Sequence, residues 1–189
     1  KNENVKDSPV DLGEVIRFYD QAMMDLPDQA RLKGMRGAGA GRVLDAKGER
    51  FADLSEGNRR VRVPLSRIPV HVQKAFIAAE DKRFYEHKGV DERGLIRAMI
   101  ANLAPSGRPQ GGSTITQQVA KNFLQTNEVS IERKAKEAIL ALRIERAISK
   151  DRILELYLNE IYLGLRSYGV AAAALNYFDK SLDRKSTRL

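Results

Sequence analysis

QGGSTITQQVAK, residues Gln110–Lys121, is the stretch around which the rest of the chain is read. Two glycines open it, Ser113 can cap a helix, and Thr114, Gln117, Gln118 and Lys121 follow at i, i+3, i+4 and i+7, which puts four polar side chains on one helical stripe. Ile115, Val119 and Phe123, with Ala120 and Leu124 beside them, form the opposite apolar face. A glycine-led helix start turns unpaired backbone N–H groups and the positive end of the macrodipole outward, which suits a phosphate or pyrophosphate. Lys121 adds a full charge two turns on. An ordinary capped helix with a solvated outer face is the alternative. No Gly-Lys-Ser/Thr follows the glycines, so this is not a Walker A loop.

Helical periods continue on both sides. Apolar residues recur at three- and four-residue spacing over 69–80, 92–103, 113–124, 130–148, 149–163 and 168–178, which predicts an all-helical body. Ser113, Ser130 and Ser149 are candidate N-caps and Pro69 suits a first turn. The segment 104–112, APSGRPQGG, reads as a loop beside the candidate anion site. Upstream, Val10–Leu32 has the spacing of a connector helix ending near Pro27, and Gly34–Gly41 is a glycine-rich hinge. Arg42–Leu54 places two short apolar segments around Lys47-Gly48 in the manner of a hairpin, and Arg60–Leu65 alternates Arg and Val as a third extended piece. The expected division is 1–41 connector and hinge, 42–65 strand or hairpin, 66–180 catalytic body, and 181–189 a polar tail of non-native character.

Composition narrows the chemistry. The chain has 189 residues, 42% hydrophobic and 31% charged, the balance of one globular domain. Its 33 basic and 25 acidic residues give +8, which suits an anionic membrane surface, a phosphorylated substrate or nucleic acid. The absence of Cys removes thiolate metal sites, disulfides and thiol nucleophiles, and two histidines, His71 and His87, are few for a zinc site. No apolar run is long enough to span a bilayer, and KNENVKDS lacks the layout of a signal peptide. The chain opens on Lys1 rather than Met and is read as a fragment.

Two carboxylate clusters can carry chemistry. Glu80 and Asp81 stand where the predicted helix 70–80 ends. There the macrodipole disfavours negative charge, and an adjoining apolar wall would disfavour it further, so a carboxylate can be tuned as a general base. Pairing with Lys82, Arg83 or a distant Arg is the structural alternative. In SIERKAKEAILALRIER, Arg133, Lys134 and Glu137 fall close together, either as a helix-surface ion pair or as two phosphate-binding cations beside a second carboxylate. A wide separation of Glu80 and Glu137 across a cleft would suit inverting sugar chemistry. KDRILELYLNEIYLG reads as core, with Asn159 and Gly164 ending its helix and Glu155 a buried acceptor. The small residues from Val170 to Leu175 predict a close helix contact, and Arg166 is the one residue there suspected of more.

In order and spacing, EDKRFYEHKG (Glu80–Gly89), GGSTITQQ (Gly111–Gln118), RKAKE (Arg133–Glu137), KDRILELYLN (Lys150–Asn159) and RSYGVAAAALNYFDK (Arg166–Lys180) resemble the five motifs of the peptidoglycan glycosyltransferases, glycosyltransferase family 51. The resemblance implies a mainly α, lysozyme-like helical fold with a small N-terminal hairpin-like segment. It implies an enzyme that polymerises lipid II into glycan strands at the outer face of the bacterial inner membrane. Glu80 would take the proton from the acceptor 4-hydroxyl, with Glu137 as the second family glutamate. Ser113, Thr114, Gln117, Gln118, Lys121, Arg133 and Lys134 match donor sugar and pyrophosphate positions, and Asp81, Phe84, His87 and Asn122 would shape the cleft. Undecaprenyl pyrophosphate would leave with inversion. The resemblance implies no dedicated metal cluster, though Mg or Mn can assist at the pyrophosphate.

Implied partners are lipid II, the growing glycan chain and the membrane surface, and no nucleic acid. The segment 42–54 resembles the one preceding the catalytic part in class A penicillin-binding proteins, which implies a transpeptidase fused in the full-length protein. This chain has no Ser-x-x-Lys or Lys-Thr-Gly. Asp179 stands where the family often has Gly. A lysozyme-like hydrolase is the runner-up, with less need of the Thr114–Lys121 stripe and its cations. A nucleic-acid binder, suggested by +8 and Arg59-Arg60-Val61-Arg62, lacks aromatic platforms and recognition motifs.

Overall fold

The structure is a computed structural model describing residues 13, 16–17, 20–21, 24, 26–35, 41–44, 50–55, 58–103, 111–124 and 130–182. The fold is mainly helical with one small sheet. The described residues between 13 and 24 are helical, as the connector reading expects. The chain then bends at Leu26, and a separate short helix, α1 (Gln29–Lys33), starts after Pro27 with Asp28 as its cap. A proline at that point ends one helix and leaves the next to begin afresh. Most of the glycine hinge, residues 36–40, and the segments 104–110 and 183–189 lie outside the described residues.

Strands β1 (Gly41–Leu44) and β2 (Arg50–Ser55) pair antiparallel, the hairpin expected from the sequence. The third extended piece differs: β3 is Asn58–Arg60, pairing with β2, and the chain from 61 to 64 carries no strand. A side chain takes over there. Asn159 accepts from Val63 N–H at 2.9 Å and donates to Val63 C=O at 2.9 Å, bonding that residue as a neighbouring strand would. Pro64 cannot donate to a ladder in any case. The fourth strand, β4 (Ser167–Tyr168), lies parallel to β3 and has no forerunner in the sequence analysis.

The helical body consists of α2 (Val70–Glu80), α3 (Glu92–Leu103), α4 (Ile115–Leu124), α5 (Ile131–Ala147), α6 (Lys150–Glu160) and α7 (Val170–Phe178). Ser130 and Ser149 cap α5 and α6, each accepting from the N–H three residues on. Helix α6 runs through the core: Ile153, Leu154, Leu156, Tyr157 and Leu158 are all buried. Around it pack Ile115, Val119 and Ala120 of α4, Leu140, Ala141 and Ile144 of α5, and Phe84. Glu155 accepts from Leu65 N–H at 2.8 Å and pairs with Arg152, the acceptor role expected of it, though at a half-buried rather than a buried position. Thus α6 also fastens the connector between sheet and body. Asn159 is not merely the end of this helix, since it clamps Val63. The small residues Ala171, Ala172 and Ala173 are buried, as a close helix contact requires. Gly169 before them has φ +85°, and a Cβ there would stand 2.6 Å from Asn159 O, so only glycine fits.

Candidate active site

Helix α2 ends at Glu80, and Asp81 follows as its C-cap, its N–H bonded to Ile77 O at 2.9 Å. The two carboxylates part company at that point. Glu80 is exposed and accepts from Gln118 Nε2 at 3.0 Å. It therefore stands at a cavity rim rather than against the apolar wall anticipated from sequence. Asp81 is buried, and its carboxylate accepts from His87 Nε2 at 2.9 Å and from Ile115 N–H at 3.0 Å. Arg83 is engaged elsewhere, with Glu86 at 2.7 Å and Asp91 at 2.8 Å, and the hydrogen bond to Glu86 leads in raising its pKa.

The Asp81–Ile115 bond revises the reading of the glycine-led helix. Helix α4 starts two residues later than Ser113, and Thr114 is its cap. Gln117 N–H donates to Thr114 Oγ1 at 3.1 Å while Thr114 N–H donates to Gln117 Oε1 at 2.9 Å, a reciprocal capping box. With Ile115 N–H held by Asp81, the helix start is occupied by the protein's own carboxylate. The N–H groups of Ile115 and Gln117 are thus bonded within the protein, while Gly111, Gly112, Ser113 and Thr114 line the cavity beside them. Thr114 is itself buried and donates to Gly89 O at 2.6 Å, and it also lines the cavity that holds Glu80.

His87 belongs to the same brace. Gly89 N–H donates to its Nδ1 at 3.1 Å, which makes Nε2 the nitrogen that carries the proton toward Asp81. Gly89 has φ +104°, and a Cβ there would meet the Ala141 backbone at 2.9 Å. Phe84, expected to shape the cleft, is fully buried in the core with Lys150 Nζ 4.5 Å over its ring. It acts by packing beneath the loop.

Two cavities of about 340 Å³ each flank Ser113 and Gln118, which line both. One holds Glu80 with Asp81, Lys82, Asp91, Arg97 and the glycines 111 and 112. The other is lined by Gln117, Lys121, Asn122, Arg133, Lys134 and Glu137, together with Tyr157, Ile161 and Tyr162. Glu137 is only 1% exposed and binds both cations, Arg133 Nη1 and Lys134 Nζ, the latter at 2.7 Å. The surface ion pair of the alternative reading is thus a buried one. Lys134 Nζ also donates to Ser113 Oγ at 3.0 Å, tying α5 to the ridge between the cavities. Gln117 spends its amide oxygen on Thr114, leaving its NH2 end for a ligand.

In electrostatic terms the second cavity has Lys121, Arg133 and Lys134 against the single carboxylate of Glu137, an excess suited to a doubly charged phosphate group. Glu80 and Glu137 line separate cavities, so a carboxylate pair gripping one metal is not formed. Among the described residues no group of three or more His or carboxylate side chains converges as metal ligands. Residues that sequence reasoning did not assign to the site are Tyr157, Ile161 and Tyr162 on one side, and Lys82, Asp91 and Arg97 on the other. The dense Tyr and Ile of 150–164 signalled core, and only the fold shows that its end opens on a cavity. Arg166 is exposed and lines neither cavity.

The family model described as Transglycosylase matches residues 47–187. Penicillin-binding protein 1A of Escherichia coli strain K12 is 49% identical over 172 residues, covering 91% of this chain and 20% of that protein. Penicillin-binding protein 1A of Rickettsia bellii is 47% identical over 172 residues, covering 89% and 21%. That of Haemophilus influenzae is 50% identical over 141 residues, covering 75% and 16%. The chain spans about a fifth of the length of the first of these curated relatives.

Proposed function

The chain belongs to the transglycosylase family, and from that premise we propose that it is a peptidoglycan glycosyltransferase that polymerises lipid II. The observation that carries the reading is the pair of cavities: exposed Glu80 in one, three cations around buried Glu137 in the other, and Gln118 and Ser113 between them.

The acceptor sugar occupies the Glu80 cavity with its 4-hydroxyl toward the carboxylate. Glu80 removes the proton as the new carbon–oxygen bond forms at the anomeric carbon of the donor. The anomeric carbon–oxygen bond to pyrophosphate breaks on the opposite face, giving inversion and releasing undecaprenyl pyrophosphate. Negative charge grows on that leaving group. Arg133, Lys134 and Lys121 stabilise it there, with the NH2 end of Gln117 beside them. Glu137 has both carboxylate oxygens engaged by Arg133 and Lys134, so it positions the two cations rather than moving a proton. Asp81, His87 and Thr114 hold the end of α2 and the start of α4 together, which fixes Glu80 opposite Gln118.

A divalent cation such as Mg or Mn, where it takes part, would neutralise charge at the pyrophosphate; among the described residues the carboxylates do not converge into a ligand set. Among the described residues no helix is long and apolar enough to cross a membrane. We place the domain at the outer face of the inner membrane, where a lipid-linked donor is presented, within a longer protein that carries a transpeptidase. The relatives' names and the small share of their length matched here support that arrangement.

The test is incubation with labelled lipid II. Long glycan products are expected. Release of fragments from finished peptidoglycan without polymer would instead assign the site to a hydrolase.

A further inference from the structure

Two residues that line the cation-lined cavity each carry a buried hydrogen-bond donor with no partner among the described residues, Tyr157 at its phenol oxygen and Arg133 at Nε. Folded proteins pair nearly all buried polar groups, and one left unpaired at a cavity wall is there for a ligand or for chemistry. Arg133 already has a role in holding phosphate. Tyr157 does not.

Tyr157 lies on α6, 1% exposed, its ring edge-on to Phe76 with centroids 6.1 Å apart. Phenylalanine would pack in the same way, and nothing among the described residues uses the oxygen. We propose that Tyr157 is a substrate-contacting residue, its phenol O–H donating a hydrogen bond to a sugar oxygen of the lipid-linked donor, next to the pyrophosphate. This rests on the glycosyltransferase reading above. The three cations of the cavity match the phosphate oxygens, and a neutral donor matches a neutral sugar acceptor. Burial pushes the Tyr157 phenol up from its ordinary pKa, and the negative charge of Glu80 pushes it further. The group therefore stays protonated, a donor and not a base.

The experiment is Tyr157→Phe in the whole chain, with thermal unfolding, lipid II turnover and inhibition by inorganic pyrophosphate measured on both proteins. The unfolding midpoint should be unchanged or raised, since the deleted oxygen has no partner. The kcat/KM for lipid II should fall about ten- to hundredfold, the worth of one hydrogen bond made to substrate in the transition state. Inhibition by pyrophosphate, which offers phosphate oxygens alone, should be equal in the two proteins. Turnover within twofold of wild type would overturn the proposal, as would a lowered midpoint or failure to fold, which would make the hydroxyl structural. Weaker inhibition of the variant would move the contact to the phosphate and overturn its assignment to the sugar. Absence of lipid II turnover in the wild type would overturn the underlying reading itself, and is told apart because it needs no variant.

Discussion

The carboxylate of Asp81 accepts the backbone N–H of Ile115 at 3.0 Å across 34 residues of sequence, so the first turn of α4 is capped by the residue next to Glu80. The same carboxylate accepts a hydrogen bond from His87 Nε2. Two donors thus converge on one buried carboxylate, which ties the start of α4 to the end of α2 beside Glu80.

Asp81→Asn isolates that arrangement. An amide keeps the shape and its one oxygen can accept from both donors, but it sets an NH2 against His87 Nε2, where Oδ1 stands at 3.0 Å, and removes the charge at the helix start. Stability should fall by about 1–3 kcal/mol, measured by denaturant unfolding. Lipid II turnover should fall as well, because Glu80 loses its anchor. An unchanged unfolding midpoint would mean that Asp81 does not brace the site.

Glu80→Gln should separate chemistry from folding. Glu80 is exposed, and its bond to Gln118 is the kind an amide can re-form. Unfolding should be unaltered while turnover drops about 10²–10⁴-fold, the usual contribution of a positioned general base. Near-full activity in a lipid II polymerisation assay would remove Glu80 from the mechanism.

Glu137 and Lys134 should behave oppositely in stability. Glu137→Gln leaves Arg133, 14% exposed, without its buried anion and should cost about 3–5 kcal/mol. Lys134 is 52% exposed, so Lys134→Ala should cost about 1 kcal/mol or less while still lowering kcat/KM for lipid II at least about tenfold. Denaturant unfolding and steady-state kinetics on the two variants check both halves. Equal destabilisation would mean that the buried and exposed ends of this pair are not distinguished as the structure indicates.

Much of this was legible in the residues. The 3.6-residue periods yield α2 to α7, and Ser130 and Ser149 are the caps expected. The cap of α4 was legible too, since Thr114 and Gln117 have capping-box spacing, yet Ser113 stood one place earlier and drew the assignment. Other features depend on contacts far apart in sequence. Strand β4 is two residues long, too short for any periodicity, and exists by pairing with Arg59 and Arg60. The end of the third strand reflects Asn159 bonding Val63 from 96 residues away. Tyr157 was rightly read as core, but an unpaired hydroxyl is a property of its surroundings, which no residue pattern encodes.

The two ends of α7 predict substitutions of opposite sign. At the N-terminal end Gly169 has φ +85° with Asn159 O 2.6 Å from any added Cβ, so Gly169→Ala adds left-handed strain to a backbone clash. The clash is with the residue that clamps Val63, so the loss should exceed about 2 kcal/mol. At the C-terminal end Asp179 is left-handed, φ 50° and ψ 37°, and its N–H bonds Leu175 O at 3.1 Å while Lys180 N–H reaches Ala174 O at 3.4 Å. A Cβ is tolerated in that conformation only at a cost. Asp179→Gly should raise stability by about 0.5–1 kcal/mol with lipid II turnover unaltered, since Asp179 lines neither cavity. Paired unfolding curves decide it, and a gain from Gly169→Ala or a loss from Asp179→Gly would contradict the backbone conformation at that end.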